Sequence, residues 1–310
     1  MKRILYIVAA AMPLLWGCQT EMDVTEGTEA VASFRVSLPQ AAQTKSVGDG
    51  ENVDILYYEI WSDNAGAIGT KLNSGSIART AVKEFDLNIT LLSDQSYHFL
   101  FWAQVEACQA YDVTSLRNVT TSYANVAGND ESRAAFFAAV PVTMNGDQVI
   151  DVTLFRPFAQ LNIGTLTYKS DMTPNDVEVK STVITVKSPA DCFDVATGKG
   201  STTLAADAVF AADGVITDPA LFRVKDPVTS VETDYHYLSM NYFFVNGDEE
   251  TTVDVDMAIT TDFGTVNRSV PNVPVRENWK TNIAGDLLFK TADFNIIVEE
   301  SFETEPGYVL

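Results

Sequence analysis

Along much of this chain apolar and polar residues alternate one for one, the period of a β-strand with one buried face. In the first such run, residues 30–38, Ala30, Ala32, Phe34, Val36 and Leu38 share one face and Ser33, Arg35 and Ser37 the other, and Pro39 ends the run. Residues 40–50 are polar, with Lys45 and Gly48-Asp49-Gly50, and read as an exposed loop open to proteolysis. Residues 53–61, rich in β-branched and aromatic side chains, predict a strand that enters a hairpin at residues 62–66. Phe85, Leu87, Ile89 and Leu91 alternate with polar residues and predict another half-buried strand. Residues 97–105 are apolar on both faces, the pattern of a central strand covered on both sides. Residues 115–126 lack strict alternation and leave room for a short helix over one end. Residues 140–144 and 149–155 read as two strands joined through a hairpin at Asn145-Gly146-Asp147.

Arg156-Pro157 interrupts this series. Proline is poorly tolerated inside a central strand, so a domain boundary is expected here. A second series follows: residues 158–168, the Val/Thr/Ile-rich residues 177–187, a longer mixed stretch with turns at Gly198-Lys199-Gly200 and Asp218-Pro219, and the aromatic residues 235–245 ending at Asn246-Gly247-Asp248. Val253, Val255, Met257 and Ile259 alternate with acidic and polar neighbours across an expected hairpin, and Phe294, Ile296 and Val298 mark the last alternating segment. Short strands in two successive sets predict an all-β protein of two antiparallel sandwiches, residues 30–155 and 156–310.

The segment before the first strand changes the cellular setting. Lys2 and Arg3 lead into an apolar run over residues 4–16, closed by Gly17-Cys18, the arrangement of a lipoprotein signal peptide over residues 1–17. Cleavage between Gly17 and Cys18 would leave Cys18 with a thiol and an amine to acylate, and several acyl chains anchor where one does not. Residues 18–29 then form an acidic tether. The formal net charge is -22, and loss of the two cations Lys2 and Arg3 takes the mature chain to -24. A chain so acidic repels phosphate backbones, which argues against nucleic-acid partners. Cys108 and Cys192, the two remaining cysteines, match no zinc spacing and are expected as free thiols.

Candidate chemistry is sparse. His98 and His236 are the two histidines, each in an aromatic strand, and no nucleophile elbow, zinc-protease, phosphate-loop or dinucleotide pattern accompanies them. The expectation is no catalytic residue, no metal and no cofactor. Asp254 and Asp256, with Glu249 and Glu250, could supply oxygen ligands to calcium but sit with the spacing of a solvated strand face. Trp61, Trp102 and Trp279 could form a sugar-stacking platform or serve as core.

Several of these features occur together in a recognisable order. The lipoprotein site, the strand ending Leu38-Pro39 before a basic loop, Tyr97-His98-Phe99-Leu100-Phe101-Trp102-Ala103, Arg133-Ala134-Ala135-Phe136-Phe137-Ala138, Phe155-Arg156-Pro157-Phe158-Ala159-Gln160-Leu161 and Val275-Arg276-Glu277-Asn278-Trp279-Lys280-Thr281-Asn282-Ile283 resemble the fimbrillin-like lipoproteins of Bacteroidota, subunits of the type V pilus and their relatives. The resemblance implies two transthyretin-like β-sandwiches, an outer-membrane lipid anchor, and assembly with copies of itself or related fimbrial subunits. Assembly would follow removal of the first strand by a trypsin-like protease. Here Lys45-Ser46 stands where related sequences often carry arginine, so the processing site is expected between Lys45 and Ser46. Removal would take out Phe34, Val36 and Leu38, and the C-terminal strand with Phe294, Ile296 and Val298 is the candidate donor. The alternatives are that both segments complete their own sheets, and that the chain is a non-polymerising surface lipoprotein binding a glycan or host protein.

Overall fold

The alternating runs do become strands, and what each buries decides its layer. The protein is described from a computed structural model that covers residues 27–39, 49–166, 177–201, 205–217, 220–226, 229–246, 251–288 and 294–299. In chain order the first half carries β1 (Glu29–Ser37), β2 (Ile55–Asn64), β3 (Ala67–Ala78), β4 (Glu84–Leu92), β5 (Gln95–Gln104), β6 (Tyr111–Asp112), β7 (Val119–Thr121), β8 (Val126–Ala127), β9 (Ala135–Met144) and β10 (Gln148–Thr153). The second half carries β11 (Ala159–Thr165), β12 (Val179–Val186), β13 (Cys192–Asp194), β14 (Lys199–Gly200), β15 (Ala208–Asp213), β16 (Leu221–Lys225), β17 (Glu232–Phe243), β18 (Thr251–Thr261), β19 (Gly264–Val275), β20 (Lys280–Gly285) and β21 (Phe294–Glu299).

These strands form two β-sandwiches. In the first, the sheet β10-β1-β4 faces the sheet β3-β2-β5-β9. Phe34 of β1 meets Phe99 and Phe101 of β5 across the core, with ring centroids 4.3 and 5.4 Å apart. In the second, β16-β17-β11-β20-β21 and β19-β18-β12-β15-β8 enclose a core that includes Leu161, Ile163, Ile184, Val186 and Phe210.

The structure departs from the sequence reading in three respects. The sheets are not wholly antiparallel: β1 runs parallel to β10, β11 to β20, and β15 to β8. The turn at Asn145-Gly146-Asp147 does not close a hairpin, because β9 pairs with β5 while β10 pairs with β1 in the opposite sheet. Likewise β17 and β18 lie in different sheets, and the hairpin partner of β18 is β19. Turn chemistry dictates that the chain reverses; which sheet receives the next strand is decided by the partner edge already waiting there. Finally, residues 115–126 hold β7 and the start of β8 rather than a helix, and the helical turn in this region is a short 3-10 segment at Glu131–Arg133, capped by Asp130.

Arg156-Pro157 separates the two series of strands, yet the halves interlock. The short β8 adds to the edge of β15, and β6 and β7 join β13 and β14 in a small antiparallel sheet drawn from both halves. That small sheet covers the outer face of β5. Trp102, fully buried there, lies 5.4 Å from the Tyr111 ring and 6.3 Å from the rings of both Phe193 and Phe244. Phe193 stacks on Phe244 at 5.6 Å and meets Phe137 edge-on at 4.7 Å. The Trp102 indole N–H donates to Gln104 Oε1 at 2.8 Å, so the ring is buried with its polar atom satisfied. Beside this cluster the Tyr123 hydroxyl donates to the Ala190 carbonyl at 2.8 Å and accepts from the Phe244 N–H at 3.0 Å. Close backbone contact requires glycine at one point: a Cβ on Gly200 would collide with the Val245 carbonyl.

Truncating Phe193 removes the ring at the centre of this junction. Phe193→Ala is expected to destabilise the protein by about 3–5 kcal/mol. Because the cluster joins both halves, tryptophan fluorescence and far-UV circular dichroism should still report one denaturant transition, shifted to lower midpoint.

Candidate functional site

The first strand of the chain is the middle strand of its sheet. β1 is antiparallel to β4 on one side and parallel to β10 on the other, and β4 and β10 do not pair with each other. Its inward residues interleave with both neighbours: Phe34 stands opposite Leu87 and Ile150, and Val36 opposite Phe85 and Val152. Phe34, Val36 and Leu38 are each 1% exposed. Backbone bonds continue past the strand ends, from the Leu38 N–H to the Lys83 carbonyl and from the Leu154 N–H to the Ser37 carbonyl, both 2.9 Å. At the other end the Val31 N–H donates to Asp147 Oδ1 at 2.8 Å. Withdrawing β1 would therefore leave a slot roughly two strand spacings, about 9–10 Å, across. Burial of Phe34, Val36 and Leu38 contributes roughly 1.5–3 kcal/mol each, an upper estimate of about 5–9 in all. Domains are typically stable by about 5–15 kcal/mol, so the emptied slot would be marginal.

The proposed cleavage point Lys45-Ser46 and the lipidation site Gly17-Cys18 lie outside the described residues. The chain returns at Asp49 and Gly50, and Gly50 has φ of +77° with Phe136 so close that a Cβ would meet its ring at 2.9 Å.

The candidate donor residues are elsewhere. Phe294, Ile296 and Val298 belong to β21, which among the described residues is an edge strand of the second sandwich and pairs with β20 alone. Phe294 and Ile296 pack at the margin of the second core, and Ile297 on the opposite face is buried near Ala284, Val224 and Tyr235. The structure therefore does not bring the two sets of residues together. β21 is also held by a chain of amides: Gln160 donates to Asn162, Asn162 to Asn282, each at 2.8 Å, and Asn282 to Glu299 Oε1 at 3.0 Å. Burial pushes the Glu299 carboxyl above its ordinary value, opposed by Lys280 and the Asn282 bond.

The remaining candidates are dispersed. His98 Nε2 lies 2.8 Å from Asp63 Oδ1 at the β2–β3 turn, where the Gly66 N–H and then His98 hold the Asp63 carboxyl below the ordinary range. His236 stands opposite Leu221 in the other sandwich. Trp102 is core, Trp61 lies under Arg117 and Lys71 while donating to Glu59, and Trp279 lies beneath Arg276, so they form no platform. Asp256 accepts from Ser269 at 2.6 Å and pairs with Lys187 at 3.0 Å, and Asp254 accepts the Asn272 N–H. Among the described residues no group of three or more metal-binding side chains gathers. Cys108 and Cys192 are both free, the first buried and the second half-buried. A cleft of about 670 Å³ that sequence reasoning missed lies beside Cys108, bordered by Asp112, Thr121, Asp130 and the buried Arg133. Its walls come from short irregular segments with no periodic signal. Asp86 and Asp151, which flank Arg35 in register, were also missed, although their outward positions on alternating strands were readable.

Residues 24–308 match a family of unknown function, DUF6562, and the chain belongs to that family. None of the curated proteins matches it. Among solved structures, a candidate cell-adhesion protein from Bacteroides eggerthii superposes with a TM-score of 0.50 at 12% identity, covering 89% of this chain and 97% of that one. A candidate cell-adhesion protein from Bacteroides ovatus gives 0.49 at 11% identity, covering 90% and 100%. The C-terminally truncated tip fimbrial protein of Porphyromonas gingivalis gives 0.47 at 9% identity, covering 87% and 99%. The fimbrillin-like resemblance of the sequence thus holds at the level of the all-β fold.

Glu299 yields a pH prediction with a definite sign. A carboxyl raised in the folded state holds extra protons relative to the unfolded chain, so its environment costs stability once pH climbs from about the ordinary value of 4.5 through the raised one. Hydrogen exchange of the β21 amides should show tighter protection at mildly acidic than at neutral pH, and Glu299→Gln should flatten that difference.

Proposed function

We propose that this chain is a structural subunit of a cell-surface fimbria, exported as a lipoprotein and assembled by strand exchange after proteolytic removal of β1. The observation that carries this reading is the placement of the first strand in the middle of a sheet whose outer strands do not touch each other. A loop with Lys45 follows it directly. Cleavage there would free a strand held by hydrogen bonds and packing alone, and the open edges of β4 and β10 would then accept a replacement. On this reading β21, already an edge strand with alternating Phe294, Ile296 and Val298, is the donor that could leave its own sheet at least cost. The partners are copies of the chain or related subunits, a trypsin-like protease, and the outer membrane through a lipid on Cys18. The role is structural rather than enzymatic: the histidines lie in separate sandwiches, and His98 is engaged by Asp63.

A second reading, a non-polymerising surface lipoprotein that binds a glycan or host protein, draws on the cleft beside Arg133. Its lining combines hydroxyls, carboxylates and a guanidinium held by Thr121 at 3.1 Å.

One experiment tests the lipid anchor that both readings share, and a second separates them. Cys18→Ala should abolish acylation and accumulate precursor, read by mass spectrometry and membrane fractionation; a variant still processed and membrane-bound would refute the lipoprotein assignment. Treating unlipidated protein with a Lys-cutting protease should release β1 and produce SDS-resistant oligomers. Oligomers that form equally well after deletion of residues 294–310 would exclude this donor, and a cleaved protein that stays monomeric would favour the second reading.

A further inference from the structure

The cleft beside Cys108 holds a buried cation that no carboxylate of the chain answers. Arg133 closes the short 3-10 segment Glu131–Arg133 and is only 7% exposed. Tyr111 braces it at both ends: the ring centroid lies 5.6 Å from the guanidinium carbon, and the hydroxyl donates to the Arg133 carbonyl at 2.6 Å. Nη2 donates to Thr121 Oγ1 at 3.1 Å, and Thr121 is itself fixed by donating to the Ala110 carbonyl at 2.8 Å. Among the described residues the guanidinium makes no other hydrogen bond and no ion pair. Nε is sealed from solvent, so the terminal nitrogens are the donors that Arg133 presents where it lines the cleft. An arginine cannot escape burial by shedding its charge, and a buried charge without a partner is costly. The site therefore favours an anion.

The walls decide which anion. The volume of about 670 Å³ is that of a small-ligand site. Thr120, Ser122 and Ser132 line it with hydroxyls, and Asp112 and Asp130 with carboxylates. Each carboxylate commits Oδ1 to its own turn, Asp112 to Thr114 and Asp130 to Ser132, and keeps Oδ2 to accept from a ligand. The Thr114 hydroxyl and then its N–H hold Asp112 below the ordinary carboxylate range, so it stays ionised at neutral pH. One guanidinium beside two carboxylates gives limited attraction to a negative charge. That attraction grows in proportion to the ligand's charge, whereas the cost of stripping its water grows with the square, so a single carboxylate is favoured over a phosphate ester. The apolar lining is small, four alanines with Val126 and Cys108, and offers no seat for a large apolar side chain. Acceptors and hydroxyls instead suit a ligand rich in hydroxyl donors.

We infer that this cleft binds an acidic sugar of the uronic-acid type, its one carboxylate against the terminal nitrogens of Arg133 and its hydroxyls on Asp112, Asp130 and the neighbouring serine and threonine hydroxyls. The inference rests on the second reading above, in which the cleft binds a ligand, and names the ligand class that reading leaves open. It is independent of strand exchange, because no lining residue belongs to β1, β4 or β10. Charge-assisted bonds to the guanidinium supply the discrimination between an acidic sugar and its neutral counterpart.

The test titrates the uncleaved, unlipidated protein with methyl glucuronide, methyl glucoside, glucose 6-phosphate and an acetylated alanine tripeptide with a free C-terminus, followed by backbone-amide chemical shifts. The glucuronide should bind with shifts centred on residues 107–133 and should outbind the glucoside roughly 10- to 100-fold. Arg133→Gln should erase that preference without lowering the unfolding midpoint, since it removes an unpaired buried charge. Glucose 6-phosphate should bind more weakly than the glucuronide, and Asp112→Asn, at an exposed position, should narrow the gap. Equal binding of glucuronide and glucoside, tighter binding of the phosphate ester, shifts centred elsewhere, or a preference that survives Arg133→Gln would overturn the inference while leaving a glycan-binding protein. Binding of the peptide alone would overturn it in favour of a protein partner. Binding of none of the four would overturn it and take from the second reading the cleft on which that reading draws. Should Arg133→Gln fail to fold, the wild-type shifts and the Asp112→Asn comparison decide the same question.

Discussion

Everything in the first sandwich depends on a strand from the chain's start being hydrogen-bonded on both edges. β4 and β10 meet only through β1, and Phe34 is the ring by which their sheet grips Phe99 and Phe101. The polar, lysine-containing sequence of residues 40–48 follows this strand directly. The proposal of strand exchange rests on that order: a strand seated by packing and hydrogen bonds on both edges, followed by a candidate cleavage site.

The second constraint is the aromatic layer between the sandwiches. β5 is buried on both faces because Phe99 and Phe101 meet β1 while Trp102 meets Phe193 and Phe244 from the other half. The small sheet that supplies Phe193 is too short to stand alone and is stabilised by what it covers. Successive residues of β5, Phe101 and Trp102, face the two layers, so one strand is shared between them. At the far edge of the second sandwich β21 has one neighbour among the described residues, and burial raises its Glu299 carboxyl.

Charge works on a different scale from packing. The formal net charge is -22, and within the outward face of the first sheet a single cation stands in register with Asp86 and Asp151, with Glu84 two residues from Asp86. Charges so placed add little to stability on an exposed surface.

Local periodicity was sufficient to read such strands as β1, β2, β4, β5 and β18, the buried face of β1, the double burial of β5 and the two-sandwich class, since each follows from which residues within about ten positions share a face; short strands such as β7, β8 and β13 carry too few residues for a period to show. The resemblance in ordered motifs pointed to the same fold. What periodicity could not contain was which strand lies beside which. That β10 turns away from β9 to run parallel to β1, that β8 crosses to the second sandwich, and that Trp102 is covered by Phe193 and Phe244 are contacts between residues roughly a hundred positions apart. The register of Arg35 with Asp86 and Asp151 belongs to the same class: the three residues were visible as outward positions, but they stand opposite one another only once three distant strands are laid side by side. The sequence by itself determined the faces; tertiary structure alone decided the neighbours, because hydrogen-bonded edges carry no side-chain label and are matched by the packing of the whole core.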